Sequence, residues 1–307
     1  MEKKAARICI RIADIILNIV VVITVAVMFS YGCYAIWDTV SEVSKATQTT
    51  YAKYKPDESE QKSLSELQAV NSDVIGWLSI YGTNIDYPIL QSDNNDKYLT
   101  ADPEGKYSLS GSIFLDWQNN PSFTDFNSII YGHHMAYHAM FGDISEFKDA
   151  SFFDSHPYGN IYYDGKDHGI QLLAFLQVDA YSSSLYEPAV TDDSLKQSYL
   201  DTMIDSAVNI RQMDISTDDH LILMSTCTED VTNGRHILVG RITDGTYTND
   251  FAEDDAKNKS NSAIWGTVLS ENQDVVPMMA LIILLLLLAV ILAAMIRTQG
   301  KRKKKNV

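Results

Sequence analysis

The chain has 307 residues, with 24 Lys+Arg against 40 Asp+Glu and a formal net charge of −16. That acidic balance excludes a surface built to neutralise nucleic-acid phosphates. With no internal repeat, the length allows one full core and leaves chain over for terminal segments.

In chain order, residues 1–14 form a basic tail carrying Lys3, Lys4, Arg7 and Arg11. Residues 15–37 follow as an apolar run, interrupted by Asn18, Thr24, Ser30 and a few small residues. A second such run occupies 276–296, where Pro277 to Ile296 is apolar over 20 residues. Both are long enough for the ~30 Å hydrocarbon core of a bilayer. Arg297 and the Lys301–Lys305 cluster make 297–307 a second basic tail. Positive flanks stay on the cytoplasmic side, which predicts two transmembrane helices, both termini inside and residues 38–274 outside. A cleaved signal peptide fits poorly, because the first run is too long and lacks a small-x-small exit. Gly32-Cys33 resembles a lipid-attachment site, but Ser30 and Tyr31 are poor residues before it. The outer part holds 14 Lys+Arg against 38 Asp+Glu, a formal −24.

Residues 38–62 are polar and charged without helical periodicity, and predict a stalk. Ser63-Leu64-Ser65-Glu66 has the form of a capping box. Leu64, Leu67 and Val70 follow at helical spacing, predicting a helix to about Asn71. Short β-branched or alternating runs then occur at Trp77–Ile80, Ile85–Leu90, Ser112–Leu115, Ser128–Tyr131, Asn160–Tyr163, Gln171–Val178, Leu221–Thr226 and Ile237–Ile242. Eight short strands separated by turn residues predict a mainly β domain, an antiparallel barrel or sandwich, over 63–247. Between two late strands, Leu195, Tyr199, Met203, Ile204 and Ala207 recur at helical spacing behind Asp192-Asp193, predicting a helix over Asp192–Ile210. Residues 248–275 predict a linker, polar over 248–262.

Of the three cysteines, Cys9 and Cys33 belong to the N-terminal tail and apolar run, so the outer domain carries Cys227 alone and forms no internal disulfide. Cys227 ends the run Leu221-Ile222-Leu223-Met224-Ser225-Thr226, at the exit of a predicted strand. One reading is a buried structural thiol. The other is a nucleophile, which better explains an unpaired cysteine in an exported domain, where a thiol is an oxidation liability. Arg235 opens the next strand eight residues on and offers a fixed positive charge. A catalytic cysteine needs a proton carrier. Asn127 to Met135 ends a strand at Gly132-His133-His134, which predicts an imidazole presented as Cys227 is. His133, His134 and His138 with Cys227 would also suit a metal, but no paired-ligand motif accompanies them, so neither metal nor cofactor is expected.

Several stretches together resemble the sortases, class B in particular. They are Asn71–Leu78, Ile85–Gln91, Asp93–Leu99, Gly111–Asp116, Tyr131–Met135, and Ser225-Thr226-Cys227 through Arg235. The resemblance covers nearly all of 63–243. It implies an eight-stranded sortase barrel with N-terminal helices and a helix inserted between late strands. It also implies a cysteine transpeptidase that cleaves after the Thr of an NPxT- or PxTG-like signal near the C-terminus of secreted proteins. The acyl group would pass to an amine of peptidoglycan or of its lipid-linked precursor. On this resemblance Cys227 is the nucleophile, His133 the acid/base with His134 as the alternative, and Arg235 the oxyanion partner. Asn95, Leu99, Tyr131 and Ser225 would line the peptide groove. The second apolar run departs from class B and is more typical of pilus-building class C, yet 38–62 lacks the Asp-Pro-aromatic lid of that class. A two-span surface binding protein with a structural Cys227, and a Cys-His peptidase using water as acceptor, remain the other readings.

Overall fold

All eight predicted β-rich runs form strands in the computed structural model, which describes residues 2–56, 62–135, 138–179, 184–227 and 234–252. They are β1 (Val74–Ile80), β2 (Asp86–Leu90), β3 (Ile113–Leu115), β4 (Asn127–Tyr131), β5 (Tyr158–Tyr163) and β6 (Lys166–Asp179). After the short β7 (Ala207–Ile210) come β8 (His220–Cys227) and β9 (Gly234–Thr243). The sheet order is β5-β1-β2-β3-β4-β8-β9-β6, and β5 pairs back onto β6, so eight strands close a barrel and β7 adds to β6 outside the ring. Closure leaves the eight strands without a free edge.

The pairing is mixed rather than purely antiparallel: β2–β3 and β4–β8 run parallel. The apolar run of β8 shows why its residues sit where they do. Ile222 and Met224 join the core inside the barrel with Leu78, Ile89, Ile130 and Phe175. Leu221 and Leu223 pack on the opposite face. A strand buried on both faces needs a continuous apolar sequence instead of an alternating one. Each such leucine contributes about 1.5–3 kcal/mol by leaving water.

The helical elements differ in detail from the expectation. Residues 38–46, predicted as stalk, continue α1 (Glu2–Ala46), and α2 (Gln48–Tyr51) follows after Thr47. Ala46, Gln48, Tyr51 and Tyr54 are buried on the barrel. Tyr87 donates its hydroxyl proton to the Ala46 carbonyl (2.9 Å), and Lys55 reaches the buried Asp86 (2.7 Å). Asp86 also accepts from Trp77 Nε1 and Ser79 Oγ, so the chain entering the domain is tied to β1 and β2. The helix α3 (Lys62–Val70) includes Ser63, which is therefore not its cap. Leu64 and Leu67 are buried against Trp77 and Phe114, while Val70 is exposed. The helix α4 (Ala150–Ser155) lies between β4 and β5.

The inserted helix α5 (Asp193–Asp205) is capped by Asp192, which accepts from the Ser194 and Leu195 amides. The chain leaves the helix at Ser206, and Ala207–Ile210 become β7 because their backbone completes the edge of β6. Tyr199, Leu200 and Met203 are buried over β6, β8 and β9; Leu195 and Ile204 stay exposed. At the other end, Tyr247 stacks on Tyr158 (4.1 Å) and Phe251 on His156 (4.6 Å), so the fold extends past the predicted boundary at 247.

The described chain divides into two units, one ending at Ser41 and the other beginning at Glu42. Within the first, Ala5–Ala35 is long and apolar enough to cross a membrane, by length and composition. Its 31 residues rise ~46 Å against a hydrocarbon core of ~30 Å. The predicted second span at 276–296, the tail at 297–307 and the linker from 253 onward lie outside the described residues.

Candidate active site

Parallel pairing sends the C-terminal ends of β4 and β8 out of the barrel at one rim. Tyr131 stands opposite Ser225, and the Gly132 amide donates to the Ser225 carbonyl (3.2 Å), extending the register by one residue. His133 therefore leaves β4 beside the last residues of β8. On the other side β9 runs antiparallel, with Arg235 directly opposite Cys227. The chain positions of His133, Cys227 and Arg235 thus lie on three successive strands at the same end of the barrel. Residues 228–233, which connect Cys227 to β9, lie outside the described residues.

A cleft of about 270 Å³ opens at this rim and is lined by Asn95, Leu99, Phe114, Tyr131, His133, Ser225, Thr226 and Arg235. All four predicted groove residues are among them, with His133 and Arg235. Phe114 and Thr226 were not predicted. Phe114 packs on Tyr131 with ring centres 5.4 Å apart. Tyr186, also unpredicted, shares a hydrogen bond with Ser225 Oγ (2.9 Å). His134, the alternative acid/base, does not line the cleft. His138 pairs with the buried Asp143, which also accepts from the Asn84 amide (2.6 Å).

His133 Nε2 lies 2.9 Å from the Leu99 carbonyl. A carbonyl only accepts, so in this arrangement Nε2 carries the proton. The backbone around the ring is also held: the Phe141 amide donates to the His133 carbonyl (3.0 Å). Behind Leu99, Gly111 adopts φ +59°, and a Cβ there would stand 2.5 Å from the Tyr98 carbonyl oxygen and 2.7 Å from that of Leu99. Only glycine fits such a position. Gly111→Ala should cost on the order of 1–3 kcal/mol in backbone strain, and should displace the carbonyl that holds His133. We expect a lower melting temperature together with a fall in peptide turnover measured well below that temperature. Full turnover in the folded variant would show that the Leu99 carbonyl does not position the imidazole.

Beneath the cleft wall, Asp116 is buried and accepts from Asn95 Nδ2 (2.8 Å) and the Tyr131 hydroxyl (3.1 Å). Burial, and then the Asp116 charge, hold the Tyr131 phenol well above its ordinary range, so it stays protonated. Arg235 is half-buried, and its Nη1 donates to the Gly234 carbonyl (3.3 Å). Arg241 is engaged elsewhere, by the Asp214 carbonyl (2.7 Å) and Gln171 Oε1 (2.8 Å).

No family model matches the chain. Sortase B of Listeria monocytogenes is 34% identical over 183 residues, covering 58% of this chain and 73% of the relative. Sortase B of Staphylococcus aureus is 30% identical over 242 residues, covering 74% of this chain and 96% of the relative. Among solved structures, sortase B from the type II pilus of Streptococcus pneumoniae is 46% identical with a TM-score of 0.52, covering 59% of this chain and 98% of that one. A Staphylococcus aureus sortase B–substrate complex is 26% identical with a TM-score of 0.55, covering 59% of this chain and 85% of that one. Both curated relatives are matched over more than two thirds of their length, and the solved class B sortases share the fold found here. The chain belongs to the class B sortases.

Proposed function

We propose that this chain is a membrane-anchored cysteine transpeptidase that cuts a C-terminal sorting signal after Thr and passes the acyl group to a cell-wall amine. The carrying observation is the register that sets Cys227 opposite Arg235 and brings His133 out on the adjoining strand. In this reading the Cys227 thiolate attacks the Thr carbonyl carbon, and the carbonyl electron pair moves onto oxygen. Arg235 faces that oxyanion with a planar, permanently charged donor group. Collapse expels the amine of the next residue, which takes a proton from His133, and leaves a thioester on Cys227. An incoming amine gives a proton back to His133 as it attacks the thioester, releasing Cys227 and forming the new amide.

The partners follow from the same reading. They are secreted proteins with an NPxT- or PxTG-like signal, and an amine of peptidoglycan or its lipid-linked precursor. The related S. aureus protein is described in complex with a substrate, which supports sorting-signal substrates for this chain. Intact-protein mass spectrometry of the full chain with such peptides should show an adduct equal to the peptide up to Thr, removable by hydroxylamine. No adduct with any peptide of either class would remove the transpeptidase reading.

Pilin polymerisation is the second reading, supported by the 46% identical relative from a pilus and by the apolar run at 276–296. A lysine side chain of a pilin would then be the acceptor. The anchoring reading has its own test. If both basic tails are cytoplasmic, protease applied to intact cells should spare a tag at either end. Removal of a C-terminal tag would mean that 276–296 does not span.

A further inference from the structure

We infer that Asp116 is a positioning residue that sets the hydrogen-bond polarity of the cleft wall, so that it meets an extended peptide backbone. The inference rests on the sorting-peptide reading above. Asp116 follows β3 directly and is 2% exposed. Its backbone is held on both sides: the amide donates to Ile129 O (2.8 Å), and the carbonyl accepts from Gln91 Nε2 (2.9 Å). Among the described residues no cation pairs with its carboxylate, which instead takes neutral donors. Oδ1 accepts from the Gln118 amide (2.9 Å), and Oδ2 from Asn95 Nδ2 and the Tyr131 hydroxyl. A buried carboxylate without such donors is strongly disfavoured, so each donor is held firmly.

The consequence lies on the far side of those two donors, at the cleft. Asn95 Oδ1 is occupied by the Trp117 amide (3.0 Å), which fixes the side-chain amide in one orientation. One Nδ2 hydrogen goes to Asp116, leaving the second as a donor at a residue that lines the cleft. Tyr131 spends its only proton on Asp116, so its oxygen presents acceptor lone pairs there. The wall therefore offers a donor and an acceptor, the pair that a peptide C=O and N–H require. With the carboxylate replaced by an amide, an NH₂ at the Oδ1 place would face the Gln118 amide with no acceptor. At the Oδ2 place it opposes Asn95 Nδ2 but can donate to the Tyr131 oxygen; in that orientation the Tyr131 proton turns toward the cleft and the acceptor setting is lost.

The experiment uses the full chain in detergent with internally quenched NPxT- and PxTG-type peptides. Asp116→Asn should raise KM about tenfold, the worth of a misdirected hydrogen bond. Its kcat, and the rate of iodoacetamide alkylation at Cys227 followed by peptide mass spectrometry, should stay within about twofold of wild type. The exchange Asn95→Asp/Asp116→Asn separates positioning from packing. It keeps a donor–acceptor pair inside the network, but puts a carboxylate at position 95 and turns the Tyr131 proton toward the cleft. Its melting temperature should recover while KM stays raised. Recovery of KM together with stability would make Asp116 a packing residue and overturn the inference. So would an unchanged KM in folded Asp116→Asn, or a parallel loss of alkylation rate. If Asp116→Asn alone does not fold, the exchange variant carries the test. Absence of cleavage by the wild-type chain would sink the functional reading itself, whereas cleavage with an unaffected KM sinks only the role of Asp116.

Discussion

Replacing Cys227 with alanine should abolish sorting-peptide cleavage, with a loss on the order of 10⁴-fold or more, since no second group can form the thioester. The expectation rests on chain geometry: Cys227 is the last residue of β8, paired with Arg235. The control is built into the sequence. Cys33 belongs to the first apolar run and lies in α1, so Cys33→Ala should leave both turnover and acyl-adduct formation unchanged. The same comparison decides between the enzyme and a binding protein with a structural thiol. Under the latter reading Cys227→Ala would lose stability but no acyl transfer, because there would be none to lose. Measurable turnover in a folded Cys227→Ala chain, above that of a mock preparation, would take the cysteine out of the chemistry.

What could be read from the residues alone followed the range of the interactions involved. Each strand is announced locally, by a short β-branched run between turn residues, and all eight predicted runs are strands. The parallel pairing of β4 with β8 is not announced anywhere, because it joins residues about ninety positions apart. Yet that pairing is what sets His133 beside the end of β8. The segment 46–55 was hidden for a related reason. Tyr51 and Tyr54 sit among polar and charged neighbours and gain their burial from a cluster assembled by the fold, with Leu64, Leu67 and Trp77 among its members. Asp116 lay inside a stretch that carries the family resemblance, but its partners Asn95 and Tyr131 come from two other segments, so only the folded chain brings the three together. Tyr186 had no signal in its surroundings at all; its contact with Ser225 spans 39 residues.

Arg235→Ala should reduce turnover by more than the ~10²–10³-fold that removing one oxyanion donor typically costs, and Arg235→Lys by about that amount. Lysine keeps the charge but loses the planar fork that fixes two N–H groups toward one oxygen. Arg241 is the internal comparison, because it lies on the same strand with the same chemistry. Its guanidinium is committed to Asp214, Gln171 and Asp219, on residues that do not line the cleft. Arg241→Lys should therefore alter stability modestly and turnover by no more than a few-fold. The two arginines differ in register rather than in type: Arg235 is paired with Cys227 at the rim, whereas Arg241 is paired with Leu221 near the far end of β8. Saturating peptide with an amine acceptor removes binding effects, so that kcat reports the loss at the oxyanion. Under those conditions, turnover of folded Arg235→Ala within a few-fold of wild type would exclude this residue from transition-state stabilisation, and the oxyanion would then have to be met by backbone N–H groups at the same rim.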